Sequence, residues 1–158
     1  MHFSKYKLKN LKVLYLRESE LSSLPPEIGG LKKPEVLHAL EDLESHMLLD
    51  PGVGGAKGIP DLIKQVNRLM HNNDPRWYQI PADANYTGGL MFTYMASSPI
   101  PGALNEFVDT DERIANLVFF YKDHQGETIR RAIHMAKEWI EKNEGKVEGL
   151  TIRLAGGT

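Results

Sequence analysis

Apolar and polar residues alternate from Leu11 to Arg17 (Leu-Lys-Val-Leu-Tyr-Leu-Arg), and the β-branched and aromatic content predicts a strand. Ser22-Ser23-Leu24-Pro25-Pro26 breaks it. Pro34 suits the first position of a helix. From there Val36, Leu37, Leu40, Leu43 and Met47 recur at helical spacing, which puts Glu41, Asp42 and Glu44 on the opposite, solvated face. Asp50-Pro51-Gly52 ends that helix. Gly52 to Gly58 is glycine-rich and has room for only a short or irregular strand. A second helix opens at Pro60-Asp61, with Leu62, Ile63, Val66, Leu69 and Met70 on one face, and His71-Asn72-Asn73-Asp74-Pro75 closes it.

Residues 75–112 carry no sustained period. A helix is expected over Tyr86 to Ala96, although Gly88-Gly89 weakens it by roughly 1 kcal/mol per glycine. Ser97 to Gly102 is a turn-rich break, and a short helix fits Leu104 to Val108. The last third is plainer. Ile114 to Lys122 predicts a strand apolar enough to be central in a sheet. Gly126 to Lys142 predicts an amphipathic helix with Ile129, Ile133, Ala136 and Ile140 as its stripe, and Leu150 to Leu154 a final strand.

Without the middle helices this order is β-α-β-β-α-β, the ferredoxin-like split βαβ. The expected fold class is therefore α+β: a ferredoxin-like βαββαβ core with a helical insertion, about residues 60–112, between the second and third strands. At 158 residues the chain fits one domain, with 1–32 as a boundary strand segment and 33–158 as the main body. The closing Gly156-Gly157 pair has the character of a hinge leading onward.

Composition narrows the functional classes. A formal net charge of −2 gives no electrostatic footprint for nucleic acid, so no nucleic-acid partner is expected. No cysteine is present, which removes thiolate metal sites, disulfides and cysteine nucleophiles. No apolar run approaches the ~20 residues of a membrane span, and Met1-His2-Phe3-Ser4-Lys5 lacks the apolar core of a signal peptide.

Searches for chemistry mostly fail. Gly52 to Gly58 has the glycines and the lysine of a phosphate loop, but Lys57 is followed by glycine, and Pro60 has no N–H to offer. His2, His38, His46, His71, His124 and His134 include no pair at metal-chelating spacing. Asp109, Asp111 and Glu112 lack the remaining ligands of a calcium loop and suit a polar turn. No catalytic residue, metal site or cofactor is expected, and the domain is expected not to be an enzyme. One concentration stands out: Trp77, Tyr78, Met91, Phe92, Tyr94 and Met95. Their simplest role is to pack the inserted helices onto the sheet. The sharper role is an adaptable apolar surface for a hydrophobic small molecule, a lipid or a neighbouring subunit.

Two stretches resemble known families. Leu8, Leu11, Leu14, Leu16, Leu21, Leu24, Pro25, Ile28 and Leu31 are spaced as in a single leucine-rich repeat, with Ser19 where asparagine is usual. One repeat cannot form a solenoid, so its strand is expected to join the sheet. Pro34-Glu35-Val36-Leu37, Leu40-Glu41-Asp42-Leu43, Asp50 to Gly55, Gln65 to His71, Asp74 to Pro81, Phe107-Val108-Asp109, Arg113 to Asn116 and Leu154 to Gly157 form a longer set. With these, Pro34 to Thr158 resembles the large extracytoplasmic loop of resistance–nodulation–division (RND) exporters of the MMPL-like, lipid-exporting branch. The resemblance implies ferredoxin-like porter domains on the extracytoplasmic face of the inner membrane. It also implies hydrophobic cargo, contacts with other domains of the same transporter, and proton-driven energy supplied by membrane helices elsewhere. The alternative is a stand-alone ferredoxin-like ligand-binding or regulatory module, a homo-oligomer through its sheet.

Overall fold

The hydrophobic periods resolve into four helices and four strands in a computed structural model, which describes residues 10–18, 32–108, 114–143, 145–147 and 150–154. Strand β1 spans Asn10–Glu18, helix α1 Pro34–Met47, β2 Val53–Lys57 and α2 Ile59–Leu69. A 3₁₀ turn (Pro75–Trp77), helix α3 (Ala84–Ser97) and a second 3₁₀ turn (Ala103–Glu106) lead to β3 (Ile114–Tyr121), α4 (Gly126–Asn143) and β4 (Leu150–Arg153). Most of the leucine-rich-repeat-like stretch, the Asp109, Asp111 and Glu112 cluster and the closing Gly156-Gly157 pair lie outside the described residues.

Helix α1 begins at Pro34, whose missing N–H removes one donor the first turn could not satisfy. Its five predicted core residues, Val36, Leu37, Leu40, Leu43 and Met47, are all buried. In β3, Ala115, Leu117, Phe119 and Tyr121 are buried while Asn116, Val118 and Phe120 are half-buried, the period of two of a strand with one covered face. These residues join Ala132, Ala136 and Trp139 of α4 in one core cluster, so α1 and α4 cover the same side of the sheet.

The strand order is β2-β3-β1-β4. β1 pairs antiparallel with both β3 and β4, and β2 pairs antiparallel with β3. β1 and β2 therefore run the same way with β3 between them. β3 and β4 run the opposite way with β1 between them. The chain is thus an α+β protein whose two strand–helix–strand crossovers interleave, and the predicted central strand is interior.

β2 and β3 are antiparallel neighbours, yet the insertion replaces the short turn that would usually join them. It leaves at Gly58, where an added Cβ would overlap the Leu117 side chain. At its far end the Phe107 carbonyl accepts from the Asn116 N–H (2.8 Å), and Val108 bridges to Ala115. Helix α2 packs on α1 and β3, and α3 packs on α2. The two glycines do not interrupt α3. The Asp83 carboxylate caps it by accepting from the Asn85 N–H (2.9 Å), and buried Thr87, Leu90 and Met91 anchor it.

Three sequence expectations are corrected. Glu44 does not share the solvated face of α1 and is only 7% exposed. Helix α4 buries Thr128, Ala132, Ala136 and Trp139, while Ile133 is exposed. Hydropathy ranks isoleucine over alanine, but the face against a neighbour is chosen by fit, and two alanines let α4 approach closely beside the bulk of Trp139. In α2 the buried stripe is Ile59, Ile63, Val66 and Asn67, leaving Leu69 and Met70 exposed.

Candidate functional site

The aromatic and methionine residues singled out in the sequence separate into two sets. Met91 is 2% exposed and belongs to the core, and Tyr94 packs partly against it. Trp77, Tyr78, Phe92 and Met95 are exposed, Phe92 to 67%. Leu69, Met70, Tyr86 and Ile100 are exposed as well, so the insertion holds eight of the eleven exposed large hydrophobics among the described residues. Among the described residues, exposed apolar side chains are thus concentrated in the insertion.

Trp77 is held in place from below. Asn72 and Asn73 adopt left-handed backbone (φ 56° and 60°), a conformation asparagine tolerates better than most residues, and turn the chain sharply after α2. Asp74 caps the following 3₁₀ turn through the Arg76 N–H (3.0 Å). The indole then stacks on His71, with ring centroids 3.6 Å apart and planes within 4°. His71 Nδ1 sits 2.8 Å from the Asn67 carbonyl. The Asn67 amide donates to the Gln79 carbonyl (3.2 Å), and its side-chain oxygen accepts from the Tyr86 hydroxyl (3.2 Å). Asn67 is therefore the buried hub of this ring group. The sequence signal for it was a polar residue inside an otherwise apolar helix stripe.

A cluster of charges joins the insertion to α1. Lys64 reaches Glu41 (2.8 Å) and Asp61 (3.8 Å), and lies over the Tyr78 ring at 5.0 Å. Burial pulls the Lys64 ammonium down, but the bond to Glu41 and the charges of Glu41 and Asp61 outweigh it and leave the pKa raised. Glu44 lies beneath them. Burial, then a hydrogen bond and charge repulsion from Asp61, push its carboxyl up to about 9, so it holds a proton at neutral pH. Its Oε2 has no partner.

On the far side of α1 is a cavity of about 360 Å³. Glu35, His38, Ala39 and Asp42 form its α1 wall, and Trp139, Ile140 and Asn143 the wall from the last turns of α4. Lys146, Val147 and Leu150, Thr151 and Ile152 of β4 line the rest. The Trp139 indole N–H donates to Asp42 Oδ2 (2.8 Å), bridging the helices. Lys146 Nζ donates to Asn143 Oδ1 (3.3 Å). Sequence reading missed this site, because its walls come from segments far apart in the chain.

The glycine run weighed as a phosphate loop forms edge strand β2. At its start the buried Asp50 carboxylate accepts from the Gly52 N–H (2.8 Å) and from Arg131 Nε (3.0 Å). Tyr121 lies near that pair with its hydroxyl unpartnered, and burial, then the Asp50 charge, raises it to about 12. Among the described residues no group of His, Asp or Glu could hold a metal ion. Comparison of the chain with protein-family models, curated proteins and solved structures gives no match.

Proposed function

We propose that this chain is a porter-type domain of an MMPL-like RND exporter, with a ferredoxin-like core and a helical insertion that meets hydrophobic or lipid-like cargo. The observation that carries the cargo assignment is the concentration of exposed apolar residues in the insertion, among them Trp77, Tyr78, Phe92 and Met95. The interleaved crossovers, in strand order β2-β3-β1-β4, support the ferredoxin-like core. The described helices include none long and apolar enough to cross a membrane. The reading places the exporter's spans in flanking sequence and this domain on the extracytoplasmic face of the inner membrane. The domain handles cargo without chemical turnover, and its partners are the other domains of the transporter.

Two measurements test it. The coding sequence on both sides should specify apolar spans of ~20 residues, and their absence would sink the exporter reading. A fluorescent fatty acid should bind the domain saturably, and Trp77→Ala should weaken that binding by about 1–3 kcal/mol. Unchanged binding by the variant removes the insertion as the cargo surface. The alternative, a stand-alone ferredoxin-like ligand-binding or regulatory module, draws on the α1–α4 cavity. It predicts a complete reading frame of about this length and a ligand-dependent rise in melting temperature.

A further inference from the structure

We infer that the cavity between α1, α4 and β4 is a binding site for a small organic ammonium ion with an apolar body. The site and its ligand class follow from the cavity walls alone and do not depend on either reading above. At about 360 Å³ it lies at the small end of the ~300–1,000 Å³ typical of ligand pockets, so the occupant is a compact molecule rather than an acyl chain. One side is apolar, built from Ile140, Ile152 and the Trp139 ring. Trp139 has already committed its N–H to Asp42, so it needs no hydrogen bond from a ligand and offers the rest of its ring as a packing surface.

The charges select the sign of the polar end. Glu35 and Asp42, two turns apart on one side of α1, are the two carboxylate residues among the lining. Asp42 is oriented by the indole at one oxygen, which leaves the other for a ligand donor. One ammonium, Lys146, also lines the cavity and keeps its charge, since its bond is to the neutral Asn143 amide (3.3 Å). Asn143 in turn donates to the Trp139 carbonyl (2.8 Å). The last turn of α4 adds the partial negative charge of a helix C-terminus. The first turn of α1 has the opposite polarity, and Glu35 sits there to offset it. Two carboxylates against the one Lys146 ammonium, with a helix C-terminus and an aromatic ring beside them, favour a cationic ligand over a neutral or anionic one.

The test is a titration of the 158-residue protein with phenethylammonium, following the Trp139 indole N–H by NMR in a Trp77→Phe background that removes the second indole. Saturable movement of that signal is expected. The neutral 2-phenylethanol and the anionic 3-phenylpropionate should bind roughly tenfold more weakly or worse. Asp42→Asn keeps an acceptor for the indole and removes the charge. It should weaken phenethylammonium binding roughly tenfold. Should Asp42→Asn fail to fold, the exposed Glu35→Gln decides the matter by the same comparison. The inference is overturned if the Trp139 signal does not saturate, if alcohol or anion binds as well as the cation, or if the folded charge variant binds like the parent.

Discussion

In α1 every apolar residue of the predicted stripe is buried, whereas in α3 only Thr87, Leu90 and Met91 are, and Phe92 stands 67% exposed. Both helices have 14 residues, and both are capped or started by a favourable residue. What differs is how many sides have a neighbour. Helix α1 lies against α2, α4 and β3, so its apolar side chains find partners, and of its polar ones only Glu44 is drawn inside with them. Helix α3 packs on α2 and a 3₁₀ turn, and carries apolar residues around more of its circumference than those contacts cover. The core spends its hydrophobic residues on cohesion, while the insertion keeps a share on display. Display is what a surface that meets apolar partners requires.

The contrast can be broken by substitution. Leu40→Ala should be the most damaging, at about 2–5 kcal/mol, because it opens a void where three elements meet and none is free to collapse inward. Urea unfolding measures it, and a loss below ~1 kcal/mol would mean the core is no better packed than the insertion.

The junction of the two regions should respond to pH. Folded Glu44 is raised from its ordinary value near 4.5 to about 9, so between these values the fold holds a proton that the unfolded chain has released. Its contribution to stability is complete below about 4.5 and falls as pH climbs toward about 9, at no more than about 1.4 kcal/mol per pH unit. Glu41, Asp61 and Lys64 are the charged groups facing it, and Glu44→Gln keeps a neutral donor toward Asp61. The variant should therefore flatten the decline between about pH 5 and about pH 8 and be the more stable protein at the upper end. Parallel pH curves for variant and parent would show that Glu44 is ionised in the fold.

Phe92→Ser should have the smallest effect, within about 0.5 kcal/mol on unfolding, while lowering the binding of an apolar dye. A loss of the size expected for Leu40→Ala would show that Phe92 is covered and that the two regions are alike.

Most elements were legible in the sequence because each depends on its own residues. Pro34 with five spaced apolar residues gives α1, and the apolar run from Ile114 gives β3. What escaped depends on partners distant in the chain. Glu44 resembled any glutamate on a helix, and only the approach of Asp61 on α2 makes its place beneath the charges visible. Asp42 and Trp139 are 97 residues apart, so the cavity they bridge has no local signature. The α4 stripe was misplaced because the sequence reports hydrophobicity, while the structure selects small residues where helices come close. The aromatic cluster was found as a cluster, yet which members face outward was decided by α3 having neighbours on only part of its circumference.

The place of β1 in the sheet has a kinetic consequence. Asn10 faces Phe120 and Glu18 faces Leu150, so β1 waits for partners made much later in the chain. The entropic cost of closing such long loops grows only logarithmically with length, but it must be met before pairing stabilises anything. Helices α1 and α2 are near in the chain and pack on each other, so they can assemble sooner. During synthesis β1 can begin to pair only once Ile114 has been made, far along the chain from its partner Arg17, and the length of the insertion sets how long both edges of β1 stay open.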